Sequence, residues 1–370
     1  MQTFPLPSIS LENAMQMQFR LVDAITRHFN GSALLMQGDL GVVPGLGAPS
    51  TTRQAETVIA DFFDAPACVL TRGAGTGAIR FALMSTVPSG GRLLVHRAPI
   101  YETTKVTLES MGITPVEVDY HDPEAIAQAL QSDLPLHGAL VQLTRQKPDD
   151  CYDYAAVISQ IKTVCPTLPV ITDDNYAVCK VAQIGVQCGA DLSCFSSFKL
   201  LGPEGIGVVI GQSELIARIR TFQYSGGSQV QGHEAMDVLR GLVYAPVALA
   251  IQARVNEELL ARLRNGEIPQ VKNAFLANAQ SKVLLVEFDS EIAEPLLEIA
   301  PRYGAVPYPV GAESKYEIAP MFYRISGTFR RYDPALEKRM IRINPMRSGA
   351  DTVLRILQQS IAELERGRTN

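Results

Sequence analysis

The sequence predicts an α/β protein in three layers, with a mostly parallel seven-stranded sheet between helices and a smaller α+β domain following it. Two observations predict this. From about residue 65 to 212, apolar runs of strand length alternate with segments of helical period, which is the pattern of βαβ units. After residue 266 the alternation gives way to a shorter mixture of strand and helix patterns, and 370 residues is the length of about two domains.

The strand runs are ACVLTR at 67, RLLVHR at 92, TPVEVDY at 114, HGALVQL at 137, PVITDD at 169, ADLSCFS at 190 and GIGVVIG at 205. Helical segments such as GTGAIRFALMSTV, TTKVTLESMG, PEAIAQALQ and DYAAVISQIKTV lie between them. In such a sheet, ligands bind at the carboxyl ends of the strands. Residues 234 to 266 read as one or two long helices, with a kink or break expected at Pro246. SKVLLVEFDS, EPLLEIAPRYG, YEIAPMFYRISGTF, MIRINP and TVLRILQQSIAELERG then build the smaller domain. The expected divisions are a segment 1–48 that packs on the small domain or on a partner subunit, a large domain 49–249 and a small domain 250–370.

The formal charge is −5, from 33 basic and 38 acidic side chains, and no run of five basic residues occurs. That pattern does not suggest nucleic acid or an anionic membrane and points to small-molecule partners. The amino terminus lacks a signal-peptide pattern and no run of 18 apolar residues follows, so a cytoplasmic location is expected. Six cysteines form no C-x-x-C pair and five histidines lie scattered, so no metal site is expected. The cysteines read as reduced, and Cys194 as an apolar packing residue.

Three motifs carry chemistry. TRGAGTGAIR, residues 71–80, is a glycine-rich turn between a strand and a helix. Gly73, Ala74, Gly75, Thr76 and Gly77 offer backbone amides at a helix N-terminus, which suits a phosphate. The same string fits the dinucleotide fingerprint, so a nicotinamide-dependent oxidoreductase is an alternative. The next strand, however, ends in His96 and Arg97 where that fingerprint expects an acid. A tight turn with no ligand also gives this string. In ITDDNYAV, residues 171–178, a strand ends in Asp173 and Asp174, placed for a ligand or for a helix cap. In SCFSSFKLLGPEGIG, residues 193–207, a strand delivers Lys199 among apolar neighbours, where desolvation favours the reactive neutral amine. A lysine snorkelling to solvent is the ordinary alternative.

Together the three supply the parts that bind pyridoxal 5′-phosphate (PLP): the turn for the phosphate, Asp174 for the pyridine nitrogen, Lys199 for a Schiff base, Ser196 as a further phosphate ligand and Tyr101 against the ring face. A core tyrosine is an equal reading of Tyr101.

The order of turn, Tyr101, Asp174-Asn175 and Ser196-x-x-Lys199 resembles the fold type I PLP enzymes. Its cystathionine-metabolising branch, with γ-synthases and γ-lyases, is similar, as are aluminium-resistance-type relatives and an aminotransferase-like bacterial family. The resemblance runs from about residue 60 to 212 and continues more weakly beyond. It implies Gly75 and Thr76 on the phosphate, Tyr101 stacked, Asp174 on the ring nitrogen, Lys199 as the anchor and no settled role for Asn175. It also implies a homodimer, with Tyr224 and SGGSQVQG as a partner-facing stretch. Arg342 looks similar to the small-domain arginine that takes a substrate carboxylate, with Arg324 and Arg330 as competitors and surface ion pairs as the plain alternative. The branch's amino-terminal tyrosine–arginine pair is missing, and GDLGVVPGLGAPSTTR stands in its place. The first expectation is therefore a PLP-dependent aminotransferase. The alternatives are a β/γ-lyase or γ-replacement enzyme, the oxidoreductase, and a PLP-binding protein without turnover.

Overall fold

The computed structural model describes residues 2–144, 147–279, 281–311 and 313–369. They group into two compact units. The larger takes residues 12–144 and 151–246, and the smaller takes the rest. Residues 12–48 thus group with the larger unit.

Seven strands form the sheet of the larger unit: β1 (Ala67–Arg72), β2 (Arg92–His96), β3 (Thr114–Val118), β4 (Gly138–Gln142), β5 (Val170–Asp173), β6 (Leu192–Ser196) and β7 (Ile206–Gly211). Their order is β1-β7-β6-β5-β4-β2-β3. All neighbours are parallel except the two pairs made by β7, which runs against β1 and β6. Along this stretch the helices are α1 (Leu11–His28), α2 (Ser50–Phe62), α3 (Ala74–Thr86), α4 (Glu102–Ser110), α5 (Pro123–Leu130), α6 (Tyr154–Val164) and α7 (Ser213–Phe222). Asp122 and Asp153 cap α5 and α6, each accepting two first-turn amides.

Strand side chains alternate between two faces, and the apolar residues follow. Leu93, Val95, Leu140, Ile171 and Cys194 pack with Ala78, Ala82 and Leu83 of α3. Leu94, Ala139, Val141 and Val170 pack with Ile126 of α5 and Ile158 and Ile161 of α6. This parity decides which way the residues at the end of β5 point.

The long helix α8 (Gly232–Arg264) runs through Pro246 without the expected break. Its proline costs one i→i−4 hydrogen bond, while Leu242, Ala245, Leu249 and Ala250 around it stay buried. By length and composition residues 226–264 also pass as a membrane span, but half of the apolar window is buried within the protein, which suits a core helix.

The smaller unit holds an antiparallel sheet ordered β10-β11-β9-β8, from β8 (Val271–Ala279), β9 (Ser281–Phe288), β10 (Met321–Arg324) and β11 (Met340–Asn344). It is accompanied by α9 (Ala293–Ile299), α10 (Gly327–Tyr332), α11 (Leu336–Arg339) and α12 (Ala350–Thr369). Leu284, Val286, Ile341 and Ile343 pack with Leu296 of α9 and Leu354 and Leu357 of α12. Leu285 and Met340, of opposite parity, pack with Phe275 and Phe329.

Candidate active site

Between β1 and α3 the chain turns at Gly73, whose φ of +95° lies in the left-handed region. The amides of Gly73 and Ala74 both donate to the Gly205 carbonyl, at 2.8 and 3.0 Å. These two residues therefore shape the turn, and the amides of Gly75 and Thr76 remain as the outward donors of the first turn of α3. This corrects the expectation that Gly73 and Ala74 donate to a phosphate. The turn is tight by necessity. A Cβ on Gly77 would come within 2.0 Å of the Arg72 carbonyl oxygen, and one on Gly75 within 2.6 Å of the Asn175 amide. Thr76 Oγ1 donates to Thr103 Oγ1 at 3.0 Å, which ties the start of α3 to the start of α4, where Tyr101 stands.

At the end of β5 two adjacent carboxylates diverge. Asp173 continues the row of Ile171, on the α3 face. Its Oδ1 accepts from Asn175 N at 3.1 Å and Asn175 Nδ2 at 2.7 Å, and its Oδ2 accepts from Gln142 Nε2 at 3.3 Å. Asp174 continues the row of Thr172, on the other face, and is fully buried. It accepts from Thr172 Oγ1 at 2.5 Å, Gly185 N at 2.8 Å and Cys194 N at 3.2 Å. Burial pushes the Asp174 carboxyl up to about 6, against the pull of its hydrogen-bond donors. Asp174, expected on the ring nitrogen, is thus engaged with the protein on the side away from α3, and the acid on the α3 side is Asp173. The alternation of the apolar run ITDD was the clue in the sequence.

Strand β6 ends at Ser196, and a 3-10 turn, Ser197–Leu200, presents Lys199. Lys199 Nζ donates to Asn175 Oδ1 at 3.0 Å and stands 4.1 Å from the centroid of the Tyr176 ring, a cation–π distance. Ser196 is buried, and its backbone N–H also donates to Asn175 Oδ1, at 3.1 Å. Tyr101 is 40% exposed. Burial, with the charge of Asp173 second, raises its hydroxyl above the usual range and keeps it protonated. The structure therefore brings together Gly75, Thr76, Tyr101, Ser196 and Lys199 with Asp173, Asn175 and Tyr176. The sequence reading placed Asp173 only at a strand end suited to a ligand or a helix cap, and gave no role to Asn175 or Tyr176.

Elsewhere, His96 at the end of β2 accepts the Tyr120 N–H and packs against the Tyr120 and Tyr152 rings. His121 has both ring nitrogens engaged, with Asp119 and the Cys151 N–H. Cys194 is buried in the α3-side core, its thiol raised well above the usual range by burial. Asp39, in the glycine-rich segment near the amino terminus, accepts from the Ser50 and Thr51 amides and its carbonyl accepts the Gly232 N–H, which binds that segment to its own unit.

In the smaller unit Arg342 lies between Ile341 and Ile343 on β11, so its side chain leaves the face opposite the helix-covered core. Its guanidinium lies 3.9 Å from the centroid of the Tyr323 ring, and Nε donates to the Arg324 carbonyl at 2.9 Å. Arg324 is exposed at the end of β10, and Arg330 makes a 3.5 Å ion pair with Glu337.

The donor set of the larger unit fits PLP. It offers two helix N-terminal amides and a serine for the phosphate, an acid for the ring nitrogen and an amine for the carbonyl, around a turn whose glycines leave no room for a Cβ.

Comparison with known proteins agrees. The family described as "Cys/Met metabolism PLP-dependent enzyme" matches residues 46–272, and a YhfS-like C-terminal domain matches residues 257–357. The Escherichia coli (strain K12) protein YhfS is 56% identical over 98% of this chain and 100% of its own length. The crystal structure of YhfS, named as a pyridoxal-5′-phosphate-dependent protein, superposes with a TM-score of 0.96. Among more distant folds, cystathionine γ-lyase (CalE6) of Micromonospora echinospora is 19% identical with a TM-score of 0.66, covering 85% of this chain and 87% of its own. Cystathionine γ-synthase of Xanthomonas oryzae pv. oryzae is 16% identical with a TM-score of 0.64, covering 86% and 87%. The motifs at 73–77, 173–176 and 196–199 thus lie in a chain that belongs to the Cys/Met metabolism family of PLP-dependent enzymes.

Proposed function

We propose that this protein catalyses elimination or replacement at the β or γ carbon of an amino acid bearing a thiol, thioether or acylated hydroxyl group, as a lyase or γ-replacement enzyme. The observation that carries this reading is the family match over residues 46–272. It supports sulfur-amino-acid chemistry better than the aminotransferase expectation, and the cystathionine enzymes named above are lyases and synthases. Family membership also sets the nicotinamide alternative aside. A homodimer in the cytoplasm remains part of the proposal, with the exposed Leu35, Met36, Leu40 and Tyr224 available to a second copy.

Bound PLP supplies a carbonyl that condenses with amines and a ring that accepts electrons from the substrate's α carbon. Gly75 N, Thr76 N and Ser196 would hold its phosphate. Asp173 would hold the proton on the ring nitrogen, because a carboxylate on the α3 side favours the cationic ring. Lys199 would anchor the cofactor and then move the proton at the substrate's α carbon as general base. Tyr101, kept protonated by burial and by Asp173, would cover the ring and hand a proton to the departing hydrosulfide, thiolate or carboxylate. In the smaller unit the planar guanidinium of Arg342, braced by Tyr323, suits a carboxylate.

The test mixes purified holoenzyme with amino acids of these classes and follows ammonia, 2-oxo acid and thiol. Ammonia released without an amino acceptor is expected, and product that depends on an acceptor overturns the lyase reading. Lys199→Ala should abolish the borohydride-reducible visible band and lower turnover by about 10³-fold or more. A protein that holds PLP at Lys199 yet turns over none of these substrates supports instead a binding protein without turnover.

A further inference from the structure

Asn175 is 9% exposed and sits where the three motifs meet. Its Oδ1 accepts from Lys199 Nζ and from Ser196 N, its Nδ2 donates to Asp173 Oδ1, and its side chain fills the space a Cβ would occupy at Gly75. We propose that Asn175 is the positioning residue of this site, the amide that sets the direction of the Lys199 amine relative to Asp173 and holds both against the glycine turn. The inference rests on Lys199 as anchor and Asp173 as ring partner.

The chemistry of the carboxamide fixes its orientation. The flipped amide would face two donors, the lysine amine and the Ser196 N–H, with its own NH2, and would set its oxygen against the Asp173 carboxylate. Only the observed orientation satisfies every partner. An amide also accepts a hydrogen bond from either protonation state of an amine. A carboxylate in its place would favour the ammonium form and would stand beside a second acid. The titratable groups bonded to this amide are Lys199 and Asp173, with Tyr176 against the Lys199 amine and Tyr101 near Asp173. Asp174 bonds Thr172, Gly185 and Cys194 on the opposite side of the strand.

The discriminating variant is Asn175→Asp, prepared as holoenzyme. The pH midpoint of its visible band should rise by about one unit relative to wild type, since a carboxylate at hydrogen-bond distance favours the protonated nitrogen. A structural role would lower the melting temperature and leave the midpoint in place, so a folded, PLP-loaded Asn175→Asp with the wild-type midpoint overturns the proposal. Should that variant fail to fold or load, Asn175→Ala is read by the rate at which its apoprotein takes up PLP. A fall of about tenfold supports the proposal, and wild-type uptake overturns it. Failure of the underlying reading looks different. In that case Lys199→Ala itself keeps the borohydride-reducible band, whatever happens at position 175.

Discussion

The two sides of the sheet's carboxyl edge use the same chemical group in opposite ways. Asp173 and Asp174 are neighbours in the chain, and both are buried. On the α3 side, Asp173 takes donors from Asn175 and Gln142 and lies close enough to Tyr101 to raise its hydroxyl. On the α5 and α6 side, Asp174 takes three donors from β5, β6 and the following turn and ties those elements together. One carboxylate stands among the candidate site residues and the other braces the scaffold. What separates them is a single step in a period-two pattern.

The sharpest way to break this comparison is to neutralise each acid in turn. Asp173→Asn should lower turnover by about 10²- to 10³-fold with PLP still bound, while Asp174→Asn should lose less than about tenfold. The reverse order, measured as kcat on holoenzyme, returns the ring contact to Asp174. Next in size is a pH effect. The Asp174 carboxyl stands at about 6 in the fold against 3.8 when unperturbed, so the native state binds a proton that the unfolded chain has released. The contribution of Asp174 is therefore complete below pH 4, and about 3 kcal/mol of it is lost relative to Asp174→Asn as pH rises through 6, at about 1.4 kcal/mol per pKa unit. Unfolding curves of the two proteins that stay parallel from pH 4 to 7 contradict this.

Smaller is the cost of filling the turn. Gly77→Ala forces a Cβ against the Arg72 carbonyl and should destabilise by about 1–3 kcal/mol in thermal melts. A melt at the wild-type temperature shows that the turn can relax. The smallest effect is expected in the other unit, where β11 also divides its residues by parity. Arg342→Lys should raise KM about tenfold with kcat little changed, through loss of the bidentate fork, and Arg324→Lys should leave KM near wild type. Equal shifts from the two variants remove the preference for Arg342.

The architecture was legible because both sheets obey simple periodicities. The seven apolar runs became the seven strands, and the glycine turn, Ser196 and Lys199, singled out from their neighbours alone, come together around Asn175. The antiparallel setting of β7 was hidden, since an apolar run carries no direction. The expectation for Asp174 followed the letters of a motif, pairing it with Asn175, while the alternation from Ile171 to Asp173 follows the geometry of a strand and puts Asp173 on the α3 side. Asn175 and Tyr176 were missed for a related reason. The lysine they share lies more than twenty residues along the chain, and only closure of the sheet brings Lys199 to them. The helix through Pro246 shows packing overriding a local preference.

Because β7 runs back along β6, residues 197–205 form a hairpin loop with its ends clamped on adjacent strands. Gly205 holds the amides of Gly73 and Ala74 from that same loop. Adding or deleting one residue there would swing Lys199 and the glycine turn out of alignment in a single stroke, which leaves this stretch little freedom to vary in length.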